Sequence, residues 1–258
     1  MTVTYDYTGR CVLVTGGTRG IGAGIAEAFL AAGADVVVCG RKDPDGLPAA
    51  GGRTASFVAA DVRDPERVGA LIETVGERHG RLDVVINNAG GSPYALAADA
   101  SPRLHAKVIE LNLTAPLHVA QRAYGVMRET GGSIVMIGSV SGVRPSPGTA
   151  AYGAAKAGLH HLAACLAAEW APKVRVNTVV VGLADTGEAS EHYGGPDTLA
   201  EVAATVPVGR LAVPADVAAA CLFLAAPEAA YVTGASIRVD GGGERPAWSD
   251  VVRSQFRG

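Results

Sequence analysis

A chain of 258 residues with 48% hydrophobic and 18% charged residues holds ample material for a packed core, which excludes disorder as its main state. A net charge of −3 excludes a basic nucleic-acid footprint for the chain as a whole. The 34 glycines lack the every-third-residue period of collagen. No apolar run reaches the roughly 18 residues that would predict a membrane span.

In chain order, short apolar runs alternate with helix-length stretches. Strands are expected over residues 11–15, 35–39, 55–59, 82–86, 133–137, 174–180 and 236–239, and helices over 21–32, 65–79, 101–128, 151–170 and 215–226. Continuously apolar strands are those covered on both faces. Their alternation with helices predicts an α/β chain over residues 1–258. It would be a single doubly wound, Rossmann-type domain with about seven parallel strands and helices on both faces. Residues 182–206 mix Gly, Asp, Glu, Tyr and His, and a connection that long reads as a substrate lid, with His192 and Tyr193 beside the substrate or solvated. The tail, residues 244–258, carries Trp248 and Phe256 and is either a frayed end or an arm on a neighbouring subunit. The first ten residues are polar, unlike a signal peptide. Cys11, Cys39, Cys165 and Cys221 form no Cys-x-x-Cys pair and read as small buried hydrophobes in a reducing, cytoplasmic compartment.

The first expected strand runs straight into Thr15-Gly16-Gly17-Thr18-Arg19-Gly20-Ile21-Gly22, and a helical pattern follows at once. Glycines there let the backbone approach a pyrophosphate, while the helix N-terminus offers free N–H groups. No Gly-Lys-Ser/Thr follows, so this is not a Walker loop. Further on, Tyr152 and Lys156 stand four apart on an expected helix and share a face. A free tyrosine, with a pKa near ~10, is a poor base at neutral pH, and a nearby ammonium favours its phenolate. Lys156 is expected to lower the Tyr152 pKa in this way, making the pair a proton donor and acceptor for a carbinol/carbonyl couple. Ser139, at a strand end where ligands bind in such sheets, can hydrogen-bond the substrate oxygen; Ser141 is its rival. Gly-x-Ser-x-Gly is absent, so neither serine reads as an acyl-transfer nucleophile, and the six histidines show no metal-ligand spacing.

The glycine run, Asn87-Asn88-Ala89-Gly90, Ser139, Tyr152-Gly153-Ala154-Ala155-Lys156, Pro214-Ala215-Asp216-Val217-Ala218 and Val239-Asp240-Gly241-Gly242 occur in the order found in one family. The sequence resembles the short-chain dehydrogenases/reductases, nearest their 3-oxoacyl-thioester-reductase-like branch. The resemblance implies cofactor contacts at Gly16, Thr18, Arg19, Gly20, Ile21 and Gly22 in the loop. It places Asp61 and Val62 at the adenine, and Asn88, Ala89 and Gly90 beside the adenosine ribose. Gly182 and Thr186 would lie on the nicotinamide side, and Tyr152 and Lys156 would act in both binding and catalysis. It also implies that Asn112 holds a water of a proton relay to Lys156. Pro116, which has no N–H, leaves the Asn112 carbonyl free for that water. The family commonly forms tetramers, so a homo-oligomer, tetramer or dimer, is expected. One departure is Val181 where the family often has proline, which is expected to loosen the start of the lid.

Cofactor choice is read after the second strand, where Arg41 and Lys42 follow Gly40. Arginine accommodates the 2′-phosphate of NADP, whereas a carboxylate would hold the ribose of NAD; Arg19 approaches from the loop, and Asp43 is the competing candidate. NADP(H) is favoured, with NAD(H) the alternative under the same mechanism. The activity implied is hydride transfer between NADP(H) and a small carbonyl or secondary alcohol, without metal, nucleic acid or membrane. A non-catalytic nucleotide sensor would be expected to lack Ser139, Tyr152 or Lys156; all are present.

Overall fold

In the computed structural model, residues 4–187 and 195–244 are described. The chain begins with β1 (Cys11–Thr15), α1 (Gly20–Ala31) and β2 (Asp35–Gly40). A two-stranded hairpin, β3 (Ala49–Ala50) and β4 (Arg53–Thr54), precedes β5 (Ser56–Ala59), α2 (Pro65–His79) and β6 (Val84–Asn87). Next come α3 (Pro102–Ile109), a π-helical turn (Glu110–Thr114), α4 (Ala115–Met127), β7 (Gly132–Ser139) and α5 (Ala150–Trp170). The last elements are β8 (Val174–Val181), α6 (Pro196–Thr205), α7 (Pro214–Ala225) and β9 (Ser236–Val239).

Seven strands form one sheet in the order β5-β2-β1-β6-β7-β8-β9, every pair parallel. Alternate side chains of each strand serve opposite faces. Cys11 and Leu13 of β1 join the core beneath α2, α4 and α5, whereas Val12 and Val14 join the core beneath α1 and α7. The strand order reverses between β1 and β6, so a crevice opens at the carboxyl ends of these two strands, the place where such sheets bind ligands.

Local chemistry sets the helix ends. Asp64 caps α2 by accepting the N–H groups of Glu66 and Arg67, Pro65 starts the helix, and Gly80 ends it in the left-handed conformation at φ 69°. The expected bounds of 65–79 are those observed.

Three expectations change. The stretch 101–128 is not one regular α-helix. Pro116 cannot donate to the carbonyl four residues back, and the helix widens into the π turn, in which Ala115 N–H bonds Glu110 O. The expected lid contains α6, which rests on its own small cluster of Leu183, Leu199, Val202, Ala203, Val206 and Leu211. His192 and Tyr193, like Trp248 and Phe256, lie outside the described residues. The β3–β4 hairpin was not expected. Its turn is Gly51-Gly52, both at positive φ (59° and 74°), the two-residue turn that needs such residues.

At the start of the lid the strand pairing continues through Val181. Val181 keeps the N–H that proline would lack and stays in register with Ser139 and Val239, and Gly182 N–H bonds Val239 O at 3.0 Å. Cys11, Cys39 and Cys221 are buried as expected, but Cys165 is exposed, its sulfur 3.6 Å from His161 Nε2. Among the described residues no helix is long and apolar enough to cross a membrane.

Candidate active site

A cavity of about 820 Å³ occupies the crevice. Its floor is the β1–α1 turn. Gly16 (φ 62°) and Gly20 (φ 54°) take left-handed conformations, and a Cβ on Gly22 would fall 2.3 Å from Gly16 O and 2.5 Å from Asn88 Nδ2. That contact is impossible, so only glycine lets the first turn of α1 close onto the loop. Asn88 Nδ2 in turn donates to Thr15 O and Gly16 O at 2.9 and 3.1 Å, and Thr15 Oγ1 accepts Asn88 N–H and Ala89 N–H, both at 3.0 Å. Two loops from adjacent strands are thus stitched into a rigid cradle. No acidic residue stands in the first turn of α1, so its free N–H groups present positive charge to the cavity.

At the other end Ser139, Tyr152 and Lys156 converge on the same cavity. Ser139 ends β7 with 9% exposure; its Oγ accepts Ser141 N–H at 3.2 Å, and its own N–H bonds His160 Nε2 at 3.3 Å. Lys156 is 3% exposed, and its ammonium donates to Ile137 O at 2.7 Å while standing 5.6 Å from the centre of the Tyr152 ring. Burial without a counter-charge brings Lys156 down to about 8. Burial pushes Tyr152 above its ordinary value, while a hydrogen bond with the Ser139 hydroxyl pulls the other way. The sequence reading expected Lys156 to bring Tyr152 down. In this geometry burial wins, because the ammonium is aimed at a strand carbonyl and is itself destabilised.

The end of the cavity beyond β2 and β5 is cationic. Arg19, Arg41, Lys42 and Arg63 line it together with Asp61 and Val62. Asp61 accepts Arg63 Nε at 3.0 Å and Nη2 at 2.5 Å, which lowers its pKa, with Arg41 contributing at longer range. Asp43 is exposed and does not line the cavity.

Of the other expected site residues all but Asn112 line the cavity: Gly16, Thr18, Gly20, Ile21 and Gly22 in the cradle, Asn88, Ala89 and Gly90 beside it, and Gly182 and Thr186 opposite. Asn112 is set back, fully buried on the π turn. Its side-chain amide donates to Gly91 O and Val108 O at 2.8 and 2.9 Å and accepts Gly91 N–H at 2.9 Å. It thereby shapes the wall at Gly90, where an added Cβ would meet Asn112 Oδ1 at 2.8 Å and Lys156 Nζ at 3.3 Å. The rival Ser141 turns away and bonds Ser146 Oγ at 3.1 Å. Sequence reading missed Thr15, Arg63 and His160. For His160 a signal was present, since Tyr152, Lys156 and His160 recur at four-residue steps along one helix face.

The family described as enoyl-(acyl carrier protein) reductase matches residues 16–244. A 3-oxoacyl-[acyl-carrier-protein] reductase of Chlamydia muridarum is 37% identical over 242 residues, covering 90% of this chain and 96% of that protein. A 3beta-hydroxysteroid dehydrogenase of Eggerthella lenta is 36% identical over 247 residues, covering 92% and 94%. The crystal structure of an actinorhodin polyketide ketoreductase variant with NADPH superposes with a TM-score of 0.84 at 32% identity, covering 92% of this chain and 98% of that one.

Proposed function

Because the chain belongs to the short-chain dehydrogenase/reductase family of NAD(P)(H) oxidoreductases acting on alcohol and carbonyl groups, we propose that it is an NADP(H)-dependent enzyme interconverting a carbonyl and a secondary alcohol at Tyr152. One observation carries the reading: a glycine cradle with a free helix N-terminus and the Ser139–Tyr152–Lys156 cluster face each other across one cavity.

The residues fit a dinucleotide. Gly16, Gly20 and Gly22 leave room for a pyrophosphate at the start of α1, where N–H groups await an anion. Arg41 and Arg19 would take a 2′-phosphate, Asp61 and Val62 the adenine, and Asn88 to Gly90 the adenosine ribose. Lys156 and Tyr152 would hold the nicotinamide ribose, with Gly182 and Thr186 behind the ring. The bound cofactor would supply a hydride to the substrate carbon or accept one from it.

The chain's own groups handle the oxygen. The Ser139 hydroxyl hydrogen-bonds it and stabilises charge as it develops. Tyr152 gives it a proton in reduction and takes one in oxidation. Burial makes Tyr152 a reluctant base, so the oxidative direction depends on cationic charge from Lys156 and the oxidised ring. Asn112 fixes the wall behind Lys156, and its backbone carbonyl would hold the water of a proton relay. NADP(H) is favoured over NAD(H) because Arg41 and Lys42 line the cavity and Asp43 does not. The NADPH bound to the similar ketoreductase agrees with this reading.

The test is a panel of ketones and secondary alcohols, followed by nicotinamide absorbance with each cofactor. Turnover of a carbonyl with NADPH, lost in Tyr152→Phe, is expected. Undiminished turnover in that variant would overturn the mechanism.

A further inference from the structure

Deepening the reading above and resting on it, we propose that His160 is a positioning residue for Ser139: its neutral imidazole accepts the Ser139 backbone N–H and so fixes the hydroxyl that binds the substrate oxygen.

The ring sits in a gap made by two glycines. A Cβ on Gly138 would lie 2.4 Å from His160 Nε2, and one on Gly142 would lie 2.8 Å from Cε1. Glycine at 138 leaves the space that the imidazole fills, while glycine at 142 also lets the chain approach the α5 backbone, where a Cβ would lie 2.7 Å from Ala157 N. The ring reaches that gap because α5 presents Tyr152, Lys156 and His160 along one face, at four-residue steps. The contact at 3.3 Å joins a backbone N–H to Nε2. A backbone N–H can only donate, so Nε2 must carry its lone pair and the proton must reside on Nδ1. Burial, and then the charge of Lys156, hold His160 below its usual value, which agrees with a neutral ring.

Ser139 is the last residue of β7 and the last one paired with β8, so the ladder restrains nothing beyond it. Its φ of −153° continues the strand, and its hydroxyl accepts Ser141 N–H at 3.2 Å, so the side chain is set by how the backbone leaves the strand. His160 pins that exit from below. A displacement of about 1 Å at a reacting group is enough to cost on the order of a hundredfold in rate.

Two substitutions and one spectrum test this. His160→Leu removes the acceptor while keeping an apolar side chain in the gap, and His160→Gln places an amide oxygen near the position of Nε2. In the carbonyl assay His160→Leu should lower kcat roughly ten- to a hundredfold with the KM for NADPH unchanged, and His160→Gln should recover most of the loss. A wild-type kcat in His160→Leu, or equal loss in both variants, overturns the proposal. The nitrogen NMR spectrum of the wild-type ring needs no substrate. It should show an unprotonated, hydrogen-bonded Nε2, and a protonated Nε2 overturns the proposal whatever the kinetics. If the protein turns over no carbonyl or alcohol, the functional reading fails, and the spectrum still decides the hydrogen bond.

Discussion

The two ends of the sheet treat buried charge in opposite ways. At the amino-terminal ends of β1 and β6, Asp83 is surrounded by donors: Arg10 Nη1 at 2.9 Å, Arg81 Nε and Nη2 at 2.7 and 2.6 Å, and Cys11 N–H at 2.9 Å. Burial pushes Asp83 up, but the bonds from Arg81, Cys11 and Arg10 outweigh it, and the carboxyl lies below its ordinary value. At the carboxyl-terminal end, Lys156 is also buried, bonded to a strand carbonyl and near the Tyr152 ring but with no opposite charge beside it among the described residues, and falls to about 8. Charge that is matched stabilises the fold. Charge left unmatched is poised for a ligand that brings what is missing, at a cost in stability.

The sharpest break is expected from Tyr152→Phe. Losing the phenol oxygen should reduce turnover by about a thousandfold while leaving cofactor binding and the melting temperature nearly unchanged, because the ring still fills its place. Steady-state rates beside cofactor titrations measure both.

Next in size is Asp83→Asn, which should leave activity in place and destabilise the fold by about 2 kcal/mol, since a buried carboxylate loses its charged hydrogen bonds while the half-exposed arginines keep their water. Because the folded pKa is depressed, this stabilisation is present above the unfolded value of ~3.9 and is lost as pH falls through the folded one. Urea melts from neutral to acid pH should therefore show a steeper slope in the wild type than in Asp83→Asn, which keeps the contributions of Asp61 and Asp216.

Lys156→Met should do the reverse, abolishing turnover while raising stability at neutral pH by about 2 kcal/mol, because an unmatched buried ammonium is removed. The sign follows from proton counting. The unfolded lysine titrates near ~10.4, so between there and about 8 the unfolded chain holds a proton at this residue that the folded chain has lost, and Lys156 adds a rise of stability with pH that opposes the fall from the buried thiols of Cys11, Cys39 and Cys221, whose pKa values burial raises. The Met variant should lack that rise, so its stability should fall more steeply with pH than that of the wild type. A destabilised Met variant would mean that Lys156 is matched after all.

What the sequence made legible follows the same division. The inner strands were readable because strands buried on both faces must be continuously apolar, the half-buried edge strands β5 and β9 were readable from their short β-branched or aromatic runs, and α2 was bounded to the residue by Asp64, Pro65 and Gly80. The cradle and the Ser139–Tyr152–Lys156 cluster were readable because their chemistry demands particular residue types at short spacing. The rest depends on partners distant in sequence. The π turn arises where Pro116 meets a helix that tertiary packing keeps continuous, and α6 forms over a cluster that includes Leu183 and Leu211. Arg63 and His160 acquire meaning only once Asp61 and Ser139 are brought beside them. The sign of the Tyr152 shift could not be read at all, since burial sets it.

The smallest expected effect is at the solvent-facing end of the cavity, where Arg41 tests a third condition: charge that is neither buried nor matched. Arg41 is exposed, so its contact with a 2′-phosphate is screened, and about 1.5 kcal/mol, near the low end for a charged hydrogen bond, is the appropriate size. Arg41→Ala should then weaken NADPH about tenfold, since ~1.4 kcal/mol is a factor of ten, and leave NADH unchanged for want of that phosphate. Lys42 and Arg63 line the same end, so the preference should narrow rather than vanish. Added salt should shrink the difference between wild type and variant, more than it would for the half-buried pairs of Asp83. Calorimetric titrations of both cofactors at two salt concentrations measure all of this. A wild type that binds NADH more tightly, with Arg41→Ala indistinguishable from it, would return Arg41 to the solvated surface and move the choice of cofactor to Asp43.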